Sequence, residues 1–289
     1  LLKFFGEFSV LRGETSPVFP YVKVRALLAC LAAEGGREVQ RSWLAALLWP
    51  ELGETPARQN LRRALSSLRI ALGDEEGERS CFRVSRTTLG LNPSAPIELD
   101  VAAFCNGPTA CDLKPDKRQC DGCLQRMEAA VTAYRGELLA GFSLPDCPEF
   151  ETWLQLRREQ LHRHALKLLE RLTVCHSTRG ELVRALSFAL RHAELDAWDD
   201  AAVRRVMQLY SATGQAGAAL ARFDTFSRLL EHDLGILPDQ ETRRLAAEIR
   251  RQVLPASALP VVEPQAESAA PPELRQLTAV FCHLSHVDA

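Results

Sequence analysis

The spacing of apolar positions changes several times along the chain, and each change predicts a different element. Leu1 to Val10 reads as a strand, followed by a turn at Arg12-Gly13 and a second short strand near Pro17 to Phe19. Helical spacing then runs from about Val22 to Ala33 and is closed by Gly35-Gly36. A second helix is expected from about Ser42 to Leu48, with Pro50 just beyond it. A third opens at Thr55-Pro56, an N-cap followed by proline at the first helical position, and runs to Leu72 before Gly73. Cys81 to Ser85 and Thr88 to Leu91 alternate about a short turn and predict a β-hairpin.

From about 121 to 253 the pattern is almost entirely helical. Met127, Val131, Tyr134 and Leu138 form one stripe, and Phe150, Trp153, Leu154, Leu161, Ala165, Leu168 and Leu172 form a longer one. Gly180 and Gly214 stand 34 positions apart, each followed at +5 by alanine (Ala185, Ala219) and at +6 by leucine (Leu186, Leu220). A period of about 34 residues with small residues at helix crossings is the tetratricopeptide pattern. Val203, Val206, Tyr210, Gly214, Ala219 and Phe223 fit one such unit. Pro255, Pro260, Pro264, Pro271 and Pro272 then mark a linker, after which Leu277 to Leu284 reads as the start of a strand.

The expected fold is therefore mainly α with a small β component. Residues 1–104 form a winged helix-turn-helix, 105–123 a cysteine-containing connector, and 124–253 a tetratricopeptide-like all-α array. Residues 254–272 form a linker, and 273–289 begin a further domain. The chain has 289 residues, 46% of them hydrophobic and 25% charged, ordinary globular composition with enough apolar material for two cores. It opens on Leu1 rather than Met, as a trimmed chain would, and shows no signal peptide. No apolar run approaches the ~18 residues of a membrane span. Nine scattered cysteines, an odd number, fit reduced cytoplasmic thiols better than a disulfide framework.

The net charge of -2 says little, so the distribution of charge matters more. Between Thr55 and Gly73 there are four arginines and no acid, whereas Glu51, Glu54 and Asp74 to Glu78 flank the stretch with acids. Helical placement puts Ala57, Leu61, Ala64, Leu65, Leu68, Ala71 and Leu72 on one face. The opposite face carries Gln59, Arg62, Arg63, Ser66 and Ser67, with Arg58 and Arg69 at its edge and Ile70 near its middle. Such a helix is either a solvated surface helix or a recognition helix. In a major groove its arginines pair with guanine edges or phosphates, its Gln and Ser read other bases, and Ile70 meets a thymine methyl. Two helices precede it at short spacing, and the hairpin after it carries Arg83 and Arg86 near its tip, as a DNA-contacting wing would. The candidate DNA-binding residues are thus Arg58, Gln59, Arg62, Arg63, Ser66, Arg69, Arg83 and Arg86.

Specific strings add to this. They are Lys23-Val24-Arg25-Ala26-Leu27-Leu28, Leu47-Leu48-Trp49-Pro50, Leu65 to Asp74, Leu99-Asp100-Val101, Tyr134 to Phe142, and Trp153 with Arg157-Arg158. Through them residues 1–104 resemble the response-regulator type of winged-helix domain, and residues 124–253 resemble the bacterial transcriptional activator domain. Together they resemble the antibiotic regulatory protein family of actinobacterial activators and its large multidomain relatives. The resemblance implies promoter DNA and RNA polymerase as partners, with a homodimer as a further expectation.

Cys105, Cys111, Cys120 and Cys123 lie between the two regions, and the Cys120–Cys123 spacing suits either a structural zinc site or free thiols at a helix start. The seven histidines form no metal-ligand set, and Glu159 with His162 reads as a surface pair. No nucleophile elbow or phosphate-binding glycine loop is present, so no enzyme is expected. Glu273 to Leu284 resembles the first strand of a class III nucleotide cyclase domain, with His283 where that family has a metal-binding aspartate. The alternative function is a protein-interaction scaffold with a vestigial winged helix, forming the regulatory part of a cyclase-like signalling protein.

Overall fold

The computed structural model describes residues 1–12, 15–75, 77, 80–106 and 121–253. The expected first strand divides in two: β1 (Leu2–Lys3) and β2 (Ser9–Val10) pair antiparallel, with Leu2 opposite Val10. The chain turns between them at Gly6, whose φ of 85° favours glycine. No strand forms at Pro17–Phe19. Pro17 and Pro20 offer no N–H to a ladder, and Val18 stands 87% exposed.

Helix α1 (Val22–Ala33) matches expectation and is buried along most of its length. A short strand not expected from the sequence, β3 (Val39–Gln40), leads directly into α2 (Arg41–Leu48). Helix α3 (Glu54–Leu72) begins one residue before Thr55, with Gly53 as N-cap, so the expected cap at Thr55 is corrected. Pro56 is still tolerated, because first-turn amides need no intrahelical acceptor. Gly73 ends the helix in the left-handed region at φ 61°, its N–H closing on the Arg69 and Ile70 carbonyls. The hairpin β4 (Phe82–Val84) and β5 (Thr88–Leu91) follows, with Phe82 opposite Leu91. β3 joins β5 to give the order β3-β5-β4.

Next come α4 (Asp100–Asn106) and α5 (Asp121–Ala133). The stripe predicted through Leu138 stops being helical after Ala133. Leu138 is buried by another route, because residues 137–140 run back along the N-terminal segment. There the Gly6 N–H donates to Glu137, the Leu139 N–H to Phe4 and the Ala140 N–H to Gly6. Leu139 is held at φ 54°, a strained value for a branched side chain. Arg158 fixes it by donating to the Leu138 and Leu139 carbonyls at 2.8 and 2.7 Å. Asp100 completes this junction. Its buried carboxylate accepts from the Phe4, Phe5 and Val101 amides at 2.8–3.1 Å and from Arg135 at 3.2 Å.

Five helices complete the described residues: α6 (Pro148–Thr178), α7 (Leu182–Leu195), α8 (Asp200–Ala212), α9 (Ala216–Leu234) and α10 (Gln240–Val253). The 34-residue register is visible in the backbone. Gly180 and Gly214 both take positive φ, at 77° and 74°, between successive helices. Each donates to the carbonyl three residues back, Ser177 and Ser211, and the next residue reaches back five, Glu181 to His176 and Gln215 to Tyr210. Ala185 and Ala219 are fully buried, as an alanine at a close crossing must be. Ala219→Leu is therefore expected to overpack the α8–α9 region and cost about 1–3 kcal/mol, read as a lower urea midpoint. An unchanged midpoint would show that the crossing has room to spare.

One continuous apolar core runs from Leu2 to Cys175 and takes in the winged helix, α5 and most of α6, while a second lies under α7 to α10. The first half of α6 packs with the winged helix, where Arg157 donates to the Ala33 carbonyl and His164 meets Phe104 edge to face at 5.0 Å. Trp43 of α2 meets Trp153 edge to face at 6.4 Å, and the buried Cys147 thiol donates to the Leu48 carbonyl. In the second core, His192 is buried with its Nε2 3.7 Å from the Asp199 carboxylate. Burial lowers its pKa below the ordinary 6.5, against the pull of Asp199. A depressed folded pKa means the fold favours neutral imidazole. The stability this gives is present above pH 6.5 and lost as pH falls through the folded value. Melting temperature should drop on acidification below that point, and His192→Gln should make the drop shallower. Equal slopes in the two proteins would refute this.

Candidate nucleic-acid interface

The periodicity of α3 separates its two faces cleanly. Ala57, Leu61, Ala64, Leu65 and Leu68 are buried against α1 and α2, whereas Arg58, Gln59, Arg62, Arg63 and Ser66 are exposed. Ile70 is 78% exposed on the same helix, an apolar side chain held in water. Arg58 leans back onto Glu54 at 2.7 Å, an i,i+4 pair of little energetic weight on an open surface. Tyr21, just ahead of α1, lies close to Ser67 and Arg63 of α3.

Arg69 differs from the other arginines. It is half-buried and faces the Asp74 carboxylate, with Nε 3.7 Å away. Asp74 is itself the joint between α3 and the wing: its carboxylate accepts from the Cys81 amide and from the Ser80 hydroxyl at 2.9 Å. This places Arg69 at the base of the wing, while the other proposed α3 residues stay on the open face.

Among the wing residues, Arg83 and Arg86 are both exposed. The turn between β4 and β5 is closed by Ser85, whose Oγ accepts from the Thr87 and Thr88 amides at 3.1 and 2.8 Å and lies 2.7 Å from Thr88 Oγ1. Arg86 is thereby presented at the tip of an ordered turn.

Between α3 and the wing lies a cleft of about 720 Å³, lined by Arg41, Arg58, Arg62 and Arg86 together with Gln40, Ser42, Val84, Ser85 and Thr87. No aspartate or glutamate is among its lining residues. Arg41 was not among the residues expected from sequence. Its signal was the basic residue directly ahead of the expected second helix, which in the structure begins at Arg41 rather than Ser42.

Of the cysteine cluster, Cys111 and Cys120 lie outside the described residues. Cys105 is half-buried at the end of α4, and Cys123 is buried in the first turn of α5, where Arg126 donates to its Sγ at 3.1 Å. Among the described residues no group of three or more His, Cys, Asp or Glu side chains could hold a metal. His162 and His164 point to different neighbours, Tyr134 and Phe104. The cyclase-like tail also lies outside the described residues. No helix among the described residues is long and apolar enough to cross a membrane.

Residues 99–250 match the family described as the bacterial transcriptional activator domain. The chain belongs to this family. It is a family of transcriptional regulators rather than enzymes, and the fold is that of a small winged sheet joined to a helical array. Among solved structures the chain is similar to Mycobacterium tuberculosis EmbR, determined in complex with a low affinity phosphopeptide. The TM-score is 0.59 at 21% identity, with 87% of this chain and 65% of that chain covered. The chain thus spans less than two thirds of that protein's length, and the likeness at this identity is one of fold. Among curated proteins no sequence match is found.

Proposed function

We propose that this member of the activator-domain family is a cytoplasmic, sequence-specific regulator that lays α3 in the major groove of promoter DNA. The observation that carries the reading is the open face of α3, on which Arg62 and Arg63 stand exposed, next to a wing that presents more arginine. In this reading Arg62 and Arg63 pair with guanine edges or phosphates, and Gln59 and Ser66 read neighbouring bases. Ile70 packs on a thymine methyl, Arg58 sits at the groove edge, and Arg69 holds the wing base. Arg83 and Arg86 neutralise flanking phosphates.

The helical array supplies self-association or contact with RNA polymerase. Trp198, Leu234, Ile236 and Leu237 are each more than half exposed on it, an apolar group suited to a protein partner. The same group is what favours the scaffold reading, in which DNA plays no part.

Selection from a pool of random duplexes tests between them. The regulator reading expects an enriched motif, and the scaffold reading expects none. Against the enriched duplex, Arg86→Ala should weaken binding to all sequences alike and lower the salt slope by about one unit, because a wing arginine releases counterions rather than reading bases. A loss confined to the preferred sequence would instead make Arg86 a base reader.

A further inference from the structure

Arg41 joins α2 to the wing twice. Its backbone N–H donates to the Thr87 carbonyl at 2.8 Å, and its Nη1 donates to the Ser85 carbonyl at 3.0 Å. The guanidinium is thereby fixed in the cleft beside Arg58, Arg62 and Arg86, where no acidic side chain lines the wall. Burial lowers the pKa of Arg41, and the like charges of Arg62 and Arg58 lower it further. Cations are gathered here at a cost that an anion would remove. The first turn of α2 opens on the same cleft without a side-chain cap from Gln40, so the positive end of the helix adds to the field. With one N–H committed to Ser85, the planar guanidinium keeps donors for a two-pronged grip on a tetrahedral anion.

We propose that the cleft between α3 and the wing seats one phosphate of the DNA backbone, and that Arg41 is its anchor. The proposal rests on the DNA-binding reading above and assigns the strongest single backbone contact to a residue outside α3. Because Arg41 is bonded to the wing turn, seating that phosphate also fixes the wing against α2. The contact carries no sequence information.

The test is a scan of the enriched duplex with single methylphosphonate substitutions, each removing one phosphate charge, against wild type, Arg41→Ala and Arg41→Lys. At one position the neutral linkage should weaken wild type about tenfold and leave Arg41→Ala unaffected, while other sensitive positions stay sensitive in both. Arg41→Ala should also lose about one unit of salt slope, with its preference among sequences intact, and Arg41→Lys should recover the slope. A purely structural role for Arg41 would blunt every wing-side position together, and that result overturns the proposal. So does an Arg41→Ala profile identical to wild type while Arg62→Ala still loses sequence preference, which leaves the DNA-binding reading standing. If inorganic phosphate raises the melting temperature of wild type but not of Arg41→Ala, and no linkage shows the coupling, the cleft is a free-anion site and the backbone assignment fails. A wild type that binds no duplex overturns both readings.

Discussion

Replacing Arg62 by alanine is expected to weaken binding to the preferred duplex by about 1–3 kcal/mol and to flatten the preference at one base position. Arg62 is exposed on α3 and lies on the wall of the cleft shared with the wing. It is directed away from Leu61, Leu65 and Leu68, which carry the packing. The loss should therefore appear in binding alone, with circular dichroism and melting temperature unchanged. Titration of wild type and variant against the preferred duplex and its single-base substitutions measures it. A variant that binds as wild type does, or one that weakens equally on every duplex, would remove Arg62 from base reading.

The largest expected effect on stability comes from Asp100. Its carboxylate is the acceptor for the Phe4, Phe5 and Val101 amides, and Phe4 and Phe5 are themselves buried. Asp100→Ala leaves those amides without a partner in a region closed to water, and unsatisfied buried donors are far costlier than a missing bond is worth. A loss of about 2–5 kcal/mol is expected from urea unfolding, enough to threaten the fold of a marginally stable chain. Asp100→Asn keeps a carbonyl acceptor and should lose less. Equal stability of Asp100→Ala and wild type would mean that the N-terminal segment is not held by this carboxylate.

The sequence was most legible where one local rule decided the outcome. Helix α1, the Gly73 stop and the wing hairpin each follow from periodicity and a terminating glycine or turn, and α3 shows the face separation that its spacing predicts. The repeat register was legible because a 34-residue period repeats the same glycine and alanine. The rest depends on partners distant in sequence. The division of the first strand at Gly6 follows from amides that leave the ladder for Asp100, some 95 residues on. Leu138 keeps its place in the core through strand-like contacts with Phe5 that no helical stripe encodes. The shared core of the winged helix and α6 merges what the spacing suggested as separate regions. At the candidate site, α3 was read directly because all its exposed residues lie on one helix. Arg41 escaped because its place in the cleft depends on the wing turn folding back onto it, 44 positions later in the chain. Arg69 belongs with Asp74 and the wing base for a similar reason, since a helical wheel shows only the edge of the face and not the carboxylate beyond it.

The central claim is that α3 lies in the major groove. Ser66 sits exposed in the middle of its open face and is small enough to be changed to cysteine without disturbing the buried stripe. A photocrosslinker placed on Ser66→Cys, in protein bound to the enriched duplex, reports directly where that face lies. The account predicts a crosslink to bases within the preferred motif, through major-groove positions, which is lost in an Arg62→Ala background. Crosslinks spread evenly along any duplex, or none to DNA under conditions where the protein is bound, would contradict it.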